Sequence, residues 1–289
     1  MMARRKLISF DWALKRLLRS KTNYEVLEGF LSELLKEDME ILEILESESN
    51  RYDARDKSNR VDMKVRNRKG EIILIEVQYE REFDFLQRIL YATAKAITEH
   101  MDKAALYENV IKVISINILY FDLGYGEDYI YHGKTHFTGT HCHDELLLNE
   151  KQQQAFGKEY PHELYPEYYL LKINQFDDIA REPLDEWVYF LKNEEIKEEF
   201  QARGLKKAKE VLDIMSLSEE EQRAYEWHIE EMRYRASVHR TKVLEEQFER
   251  EEGRAQEKAT VARLMKEEGE PMEKIAKYTG LMPEEIEKL

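Results

Sequence analysis

Two carboxylates on neighbouring predicted strands form the arrangement in this chain that is best suited to chemistry. Glu76 interrupts an otherwise apolar run, residues 71–79, in which a carboxylate is costly unless it is paired or bound to a metal. Asp62 lies in the alternating segment before it, and the polar turn 67–70 between the two segments ends in a glycine. Two strands joined by a short turn form an antiparallel hairpin, which brings Asp62 beside Glu76.

A divalent cation is the ligand that this pair predicts. Carboxylates held close together repel each other, and a hard cation such as Mg²⁺ relieves the repulsion. The backbone carbonyl of Val77 could supply a further oxygen, and the two-residue period of a strand puts Gln78 on the face of Glu76. Such an ion can polarise a phosphodiester and lower the pKa of a bound water. Gln78 can orient that water or hydrogen-bond a phosphate oxygen.

The elements around the hairpin predict a mixed α/β fold. Apolar residues at helical spacing indicate helices, and long apolar runs indicate strands that are covered on both faces. We expect two helices within residues 10–36, a helix at 84–106, and strands at 41–45, 110–121, 128–148 and 168–176. The order hairpin, helix, strand is typical of a central mixed β-sheet flanked by helices.

From about residue 185 the chain becomes charge-rich and helical. We therefore predict an α/β domain over residues 1–185 and a charged α-helical C-terminal region over residues 186–289. The end of that region reads as a small two-helix unit joined at Gly280, with an acidic balance that favours protein contact over phosphate contact. The apolar residues of 218–252 are spread around more than one stripe, so this segment should dock on helices 187–215 or on a second copy of the chain.

The residues of the hairpin resemble the signature of the PD-(D/E)XK nucleases, in which an Asp, a short hairpin and Glu-x-Lys follow one another. Here the signature stands as Asp62 and Glu76-Val77-Gln78, and Gln in the Lys position resembles the recombination-promoting nuclease (Rpn) branch, whose members also carry a transposase label. Three further segments resemble that branch: Phe10–Lys15 its opening D-x-x-F-K helix, Arg88–Tyr91 its R-x-x-Y helix, and Ile275–Ile286 its C-terminal appendage. The resemblance spans roughly residues 7–180 plus the tail.

This resemblance implies a restriction-endonuclease-like core and Mg²⁺-dependent hydrolysis of DNA phosphodiesters, with Mn²⁺ or Ca²⁺ as alternative ions. Asp62 and Glu76 would be metal ligands, and Gln78 would stand in the Lys position. Asp11 would be the acidic residue of the first helix, approaching the metal directly or through water. Two alternatives stay open: a catalytically inactive DNA-binding or scaffolding relative that oligomerises through its helical tail, and a nuclease directed at RNA.

For several residues near the site, the sequence is compatible with a structural role as well as with a functional one. Asp11 and Lys15 are four residues apart on a helix, the spacing of an ordinary surface ion pair. Lys64 shares the strand face of Asp62, and we expect it to neutralise Asp62 rather than to contact phosphate. Arg88 and Tyr91 lie one helical turn apart. The sequence leaves open whether they support the core or contact DNA.

A second group of metal-ligating residue types lies between residues 132 and 143. It contains His132, His136, His141, Cys142 and His143. His and Cys are zinc ligands, but their spacing matches no common zinc motif. We therefore expect exposed or hydrogen-bonded strand histidines.

The charge of the chain limits its partners. With 60 acidic and 45 basic side chains the net charge is −15, which disfavours general binding to nucleic acid or to an anionic membrane. Contact with DNA would then depend on bridging metal ions or on local basic clusters. The candidates are Arg4, Arg5, Lys6, Lys15, Arg16, Arg19 and Lys21, and Arg51, Arg55, Lys57 and Arg60 in a polar segment expected to form a loop at the rim of the site. These residues could equally serve to balance an acidic chain.

Composition restricts the class of protein further. Hydrophobic residues make up 42% of the 289, enough for a core in a chain of this length. The single cysteine, Cys142, excludes a disulfide framework and is typical of a reducing cytoplasm. No apolar stretch has the length of a signal peptide core or of a transmembrane helix, so we expect no membrane contact and a cytoplasmic location.

Overall fold

A computed structural model describes residues 7–45, 62–101, 106–214 and 217–289 of the chain. It contains a six-stranded mixed sheet of order β1-β2-β3-β4-β6-β5. The strands are β1 (Ile41–Leu45), β2 (Met63–Asn67), β3 (Ile72–Gln78), β4 (Val113–Leu119), β5 (Ile130–Gly133) and β6 (Glu167–Lys172). Strands β3, β4 and β6 run parallel to one another, while β1, β2 and β5 pair antiparallel with their neighbours.

Helices flank this sheet and make up the C-terminal region, as the sequence predicts. They are α1 (Phe10–Arg16), α2 (Tyr24–Leu35), α3 (Phe85–Glu99), α4 (Glu150–Phe156), α5 (Pro183–Asn193), α6 (Leu205–Val211), α7 (Glu219–Glu267), α8 (Met272–Thr279) and α9 (Pro283–Glu287). Within the described ranges, no helix combines the length and the apolar character needed to span a membrane.

The β2–β3 hairpin forms where the sequence predicts it. Its turn closes through Gly70, whose φ of +80° favours glycine, and the Gly70 N–H donates to the Asn67 carbonyl at 3.0 Å. The register pairs Met63 with Ile75. Continued by one residue, this register sets Asp62 opposite Glu76 at the open end of the hairpin.

The centre of the sheet is apolar and covered. Every residue of β4 is buried, and so are residues 72–77 of β3. Helix α3 covers part of this surface, where Ala96 joins a core cluster with Ile72, Leu74 and Val113. This burial accounts for the continuous apolar runs that predicted central strands.

Some predicted elements differ in extent from the observed ones. The helix predicted at 84–106 ends at Glu99, because the backbone of His100 leaves the helical conformation. Segment 128–148 contains one short strand, β5, and an isolated antiparallel bridge between Thr138 and Glu145, which flank a turn closed by the Gly139 N–H and the Asp144 carbonyl. Helix α4 was not predicted, although Asn149 begins it with a capping box.

An aromatic cluster joins α5 to the first two helices. Trp187 is fully buried, and its ring lies 5.5 Å from the ring of Phe30 and 6.4 Å from that of Phe10. Its Nε1 donates to the Arg203 carbonyl at 3.0 Å. Helix α6 approaches α2 so closely that a Cβ on Gly29 would come within 2.3 Å of the same carbonyl oxygen.

The chain divides into two compact units, residues 1–222 and 223–289. The division falls after the predicted boundary at residue 185, because Trp187 and Phe190 of α5 are core residues of the first unit. In the second unit, Ala262, Ile275 and Ile286 form a small core, and Gly280 ends α8 with a φ of +69°. The predicted rim loop 50–60 and the basic residues Arg4, Arg5 and Lys6 lie outside the described residues.

The burial of Trp187 leads to a stability prediction. Trp187→Ala should lower the free energy of unfolding by about 3–5 kcal/mol, because it removes a buried aromatic and its hydrogen bond. Tyr125→Ala, at a fully exposed aromatic position, is the matched control and should cost less than about 0.5 kcal/mol. Urea unfolding followed by far-ultraviolet circular dichroism measures both. Equal costs would contradict the assignment of α5 to the core.

Candidate active site

Asp62 lies directly before β2, with its side chain turned toward β3. Its Oδ2 accepts a hydrogen bond from the Val77 N–H at 2.7 Å. Its Oδ1 lies 3.4 Å from Lys15 Nζ, and Arg19 donates to its backbone carbonyl at 3.0 Å. Helix α1 and the segment after it therefore supply the cations that face Asp62.

Asp11 belongs to the same group of charges. It is buried on α1, and Lys15 Nζ lies 2.6 Å from its Oδ1. Lys15 thus bridges Asp11 and Asp62, so the pair that could have been an ordinary surface pair contacts the predicted site. The Phe10 ring next to Asp11 packs in the aromatic cluster, and this packing fixes the position of α1.

Glu76 is held by a cation from α3. The residue is only 7% exposed, and Arg88 Nη2 makes a close ion pair with its Oε1. The same Nη2 donates to Gln78 Oε1 at 3.3 Å, and Arg88 Nε lies 3.0 Å from Glu82 Oε2. The guanidinium also lies 5.1 Å from the centre of the Phe85 ring, a cation–π contact that helps to orient it.

Gln78 lies at the end of β3, on the side of Arg88. Its Nε2 donates to the Glu80 carbonyl at 3.1 Å and to Glu82 Oε1 at 3.0 Å. Gln78 therefore shares Arg88 with Glu76, as the common strand face predicts. The amide is neutral, so the charges that balance the carboxylates come from Arg88 and Lys15.

Burial raises the pKa of both hairpin carboxylates. Desolvation raises the pKa of Asp62, and neither Lys15 nor the Val77 N–H fully offsets it. Desolvation likewise raises the pKa of Glu76 to about 7, although Arg88 opposes the shift, while the negative charges of Asp62 and Glu82 add to it. Burial acts to lower the pKa of Lys15, but Asp62 and Asp11 outweigh it, so this pKa is raised. The site thus has less positive charge than its carboxylates require.

The structure corrects two readings of the neighbouring residues. Lys64 does not neutralise Asp62, since its Nζ pairs with Glu99 Oε2 on α3 at 2.8 Å. Tyr91 gives no core support because it is 58% exposed. Sequence reasoning also left the roles of Lys15 and Arg88 open. The signals that could have assigned them were the i,i+4 spacing of Lys15 from Asp11 and the single helical turn between Phe85 and Arg88.

The histidines between 132 and 143 form no shared site. His132 Nε2 lies 2.8 Å from Glu167 Oε2, and His136 Nδ1 lies 2.8 Å from Glu145 Oε1. The other three residues of the group, His141, Cys142 and His143, are exposed. The expectation of exposed or hydrogen-bonded histidines is thus confirmed for this set.

Comparison with known families identifies one match. A family model described as "PD-(D/E)XK nuclease family transposase" matches residues 8–247. The match covers α1, the whole sheet and α3, and therefore every candidate residue named above. Comparisons with curated proteins and with solved structures give no match.

The raised pKa of Glu76 predicts a pH-dependent stability. The folded chain holds a proton on Glu76 that the unfolded chain releases between about pH 4.5 and 7, so this residue makes the free energy of unfolding fall as pH rises through that window. Glu76→Gln should remove this contribution, worth at most about 3 kcal/mol. Urea unfolding of both proteins in EDTA, at several pH values, measures the difference.

Glu43→Gln is the control for this series. Glu43 is a half-exposed carboxylate on β1 that pairs with Arg66. Its substitution should leave the pH slope unchanged. A Glu76→Gln slope equal to that of the parent chain would mean that Glu76 ionises in the folded protein as it does in the unfolded one.

Proposed function

The chain belongs to the family described as "PD-(D/E)XK nuclease family transposase", and from this membership we propose that it is a metal-dependent DNA endonuclease that hydrolyses phosphodiester bonds. The observation that carries the proposal is the pair of carboxylates, one buried and one partly buried, at the open end of the β2–β3 hairpin. Asp62 and Glu76 both have raised pKa values although each faces a cation of the chain itself. Such a site gains stability when further positive charge is added.

The donor atoms fit a hard divalent ion such as Mg²⁺, with Mn²⁺ or Ca²⁺ as alternatives. Asp62 and Glu76 would supply carboxylate oxygens. Val77 donates its N–H to Asp62, and because the N–H and C=O of a strand residue point toward the same edge, the Val77 carbonyl is directed there too. When bound, the ion would polarise the scissile phosphodiester and lower the pKa of the attacking water.

The other residues of the site would position substrate and water. Gln78 can orient the attacking water through its amide while it keeps its hydrogen bond to Glu82. The Arg88 guanidinium can release the Glu76 carboxylate and bind a phosphate oxygen of the substrate instead, since a guanidinium binds either group. Asp11 acts through Lys15, whose ammonium it holds 2.6 Å away and next to Asp62.

DNA is the proposed substrate in spite of the acidic net charge. Lys15, Arg16, Arg19 and Lys21 are exposed on α1 and just after it, and two of them contact Asp62. This local group of basic residues can bind phosphates beside the carboxylates. The cytoplasmic location stays a prediction.

A catalytically inactive DNA-binding relative is the second candidate. One observation favours it: both carboxylates are paired with cations of the chain, and Gln78 stands where the family signature has a Lys. A nuclease directed at RNA is the third. Metal-dependent cleavage of DNA, and of RNA in a parallel assay, distinguishes the three.

Substitution of either carboxylate should abolish cleavage. We expect the parent chain to nick supercoiled plasmid with Mg²⁺ or Mn²⁺ and not with EDTA. Asp62→Ala and Glu76→Ala should lose more than about 99% of this activity, the effect of removing about 3 kcal/mol of transition-state stabilisation. Agarose gel electrophoresis of the nicked product measures the rate.

Glu43→Ala is the matched control, because it removes a carboxylate from the same sheet away from the open end of the hairpin. It should nick plasmid at the parental rate. Nicking that survives both Asp62→Ala and Glu76→Ala would place the activity elsewhere. Parental DNA binding without nicking in any metal would favour the inactive relative.

Assembly through α7 is proposed on a separate observation. This helix has 49 residues, and Trp227 and Phe248 on it are 66% and 67% exposed. Large aromatic side chains exposed along one helix are typical of a contact surface, and a second copy of the chain would cover them.

The chain with Trp227→Ser and Phe248→Ser should therefore show a lower apparent mass than the parent chain. Size-exclusion chromatography with light scattering measures it. Tyr125→Ser, at a fully exposed position in the first unit, is the control and should leave the mass unchanged. A parent chain that is monomeric at every concentration would contradict assembly through α7.

A further inference from the structure

Three metal-ligating side chains converge away from the Asp62–Glu76 pair. They are His136, Glu145 and His162, and one ligand atom from each lies within 4.8 Å of the others. Within the described ranges, they are the one group of three or more His, Cys, Asp or Glu side chains that meets this distance. Only His136 belongs to the histidine-rich group that the sequence singled out.

Backbone hydrogen bonds hold the three residues in place. Glu145 forms an isolated antiparallel bridge with Thr138, and the Leu146 N–H donates to the Phe137 carbonyl at 2.9 Å, which keeps His136 and Glu145 side by side. His162 lies in a 3₁₀ turn, Pro161–Glu163. The Leu148 N–H donates to the Glu159 carbonyl at 3.0 Å and ties the two segments together.

The ligand atoms have the spacing of a small coordination sphere. Glu145 Oε1 lies 2.8 Å from His136 Nδ1 and 3.6 Å from His162 Nδ1. Ligands at about 2.0–2.1 Å from a tetrahedral Zn²⁺ lie roughly 3.3–3.5 Å from one another, so these two separations lie on either side of the required one. The ligand atoms of His136 and His162 lie within 4.8 Å of each other. His136 and Glu145 are on the surface, so their side chains can adjust to even out these separations when the ion binds.

His162 supplies an independent reason for a ligand. Its Nδ1 is buried and has no hydrogen-bond partner among the residues that the structure describes. A buried ring nitrogen without a partner is costly. Its ring stacks on Tyr160 with centroids 5.1 Å apart, which holds this nitrogen toward Glu145.

We propose that His136, Glu145 and His162 form a Zn²⁺ site separate from the nuclease site. Two imidazoles and one carboxylate suit zinc, whereas an all-oxygen donor set suits Mg²⁺. Three protein ligands leave a fourth position for water. The ion would link the Thr138–Glu145 bridge to the 3₁₀ turn Pro161–Glu163, and so cross-link two parts of the segment between β5 and β6.

The test measures zinc binding to the full chain rather than activity. The chain is stripped with a chelator, and Zn²⁺ stoichiometry is then determined by equilibrium dialysis in excess Mg²⁺. The Asp62→Ala, Glu76→Ala double variant serves as background, so that zinc bound at those carboxylates is not counted. We expect one Zn²⁺ per chain, and a visible Co²⁺ absorption band with the intensity of a tetrahedral complex.

Removal of a ligand should abolish this binding. His136→Gln and His162→Gln should each weaken Zn²⁺ binding by more than the roughly 10–100-fold that loss of a ligand's hydrogen-bonding partner costs. His136 is half exposed, so its substitution should leave the fold intact, which circular dichroism checks. His141→Ala and Cys142→Ser, at nearby exposed residues, should bind zinc as the background does.

Any of three results would overturn the proposal. One is a background chain that takes up no zinc, or whose Co²⁺ spectrum is that of an octahedral complex. Another is equal zinc binding by the background chain and by folded His136→Gln. The third is loss of zinc in His141→Ala or Cys142→Ser together with retention in His162→Gln, which would assign the ion to the turn 139–144 instead.

Discussion

Removal of two carboxylates from most of the solvent at the end of an apolar hairpin, Glu76 fully and Asp62 in part, is the constraint on which the arrangement around the site depends. Glu76 lies between Ile75 and Val77 in a strand whose residues 72–75 and 77 are apolar and buried. A charge in such a place is tolerated only with partners. The partners come from outside the hairpin: Arg88 from α3 for Glu76, and Lys15 from α1 for Asp62. Even so, the pKa values of both acids remain raised, which leaves the site short of positive charge.

The hydrophobic core determines where these cations stand. Phe10 on α1 packs against Phe30 and Trp187, so α1 cannot move its Lys15 away from the hairpin without disturbing the aromatic cluster. Phe85 on α3 packs against Phe121 at 5.6 Å and lies under the Arg88 guanidinium. Packing of apolar side chains thus positions the charges, and the charges in turn permit the carboxylates to be buried.

The two candidate metal sites differ in donor chemistry and in the way they are built. The carboxylate site uses oxygen atoms at the end of paired strands, each of them already bonded to a cation or an N–H group of the chain. The His136–Glu145–His162 group uses ring nitrogens on two irregular segments that are joined by backbone hydrogen bonds. Because hard oxygen donors favour Mg²⁺ and imidazoles favour Zn²⁺, we expect the two sites to differ in the metal that each binds more tightly.

The sequence by itself determined the hairpin, its turn and the opposition of Asp62 and Glu76, because the two-residue period and the turn residues are local properties. It also determined the central strands and the helical C-terminal region. Tertiary structure alone decided which cation meets which carboxylate. Lys64 pairs with Glu99 on α3, while Lys15, from a distant part of the sequence, pairs with Asp62. It likewise placed Trp187 in the first unit and brought His162 to His136 and Glu145. These contacts depend on how helices and loops pack over the sheet, and no periodicity in the sequence encodes that packing.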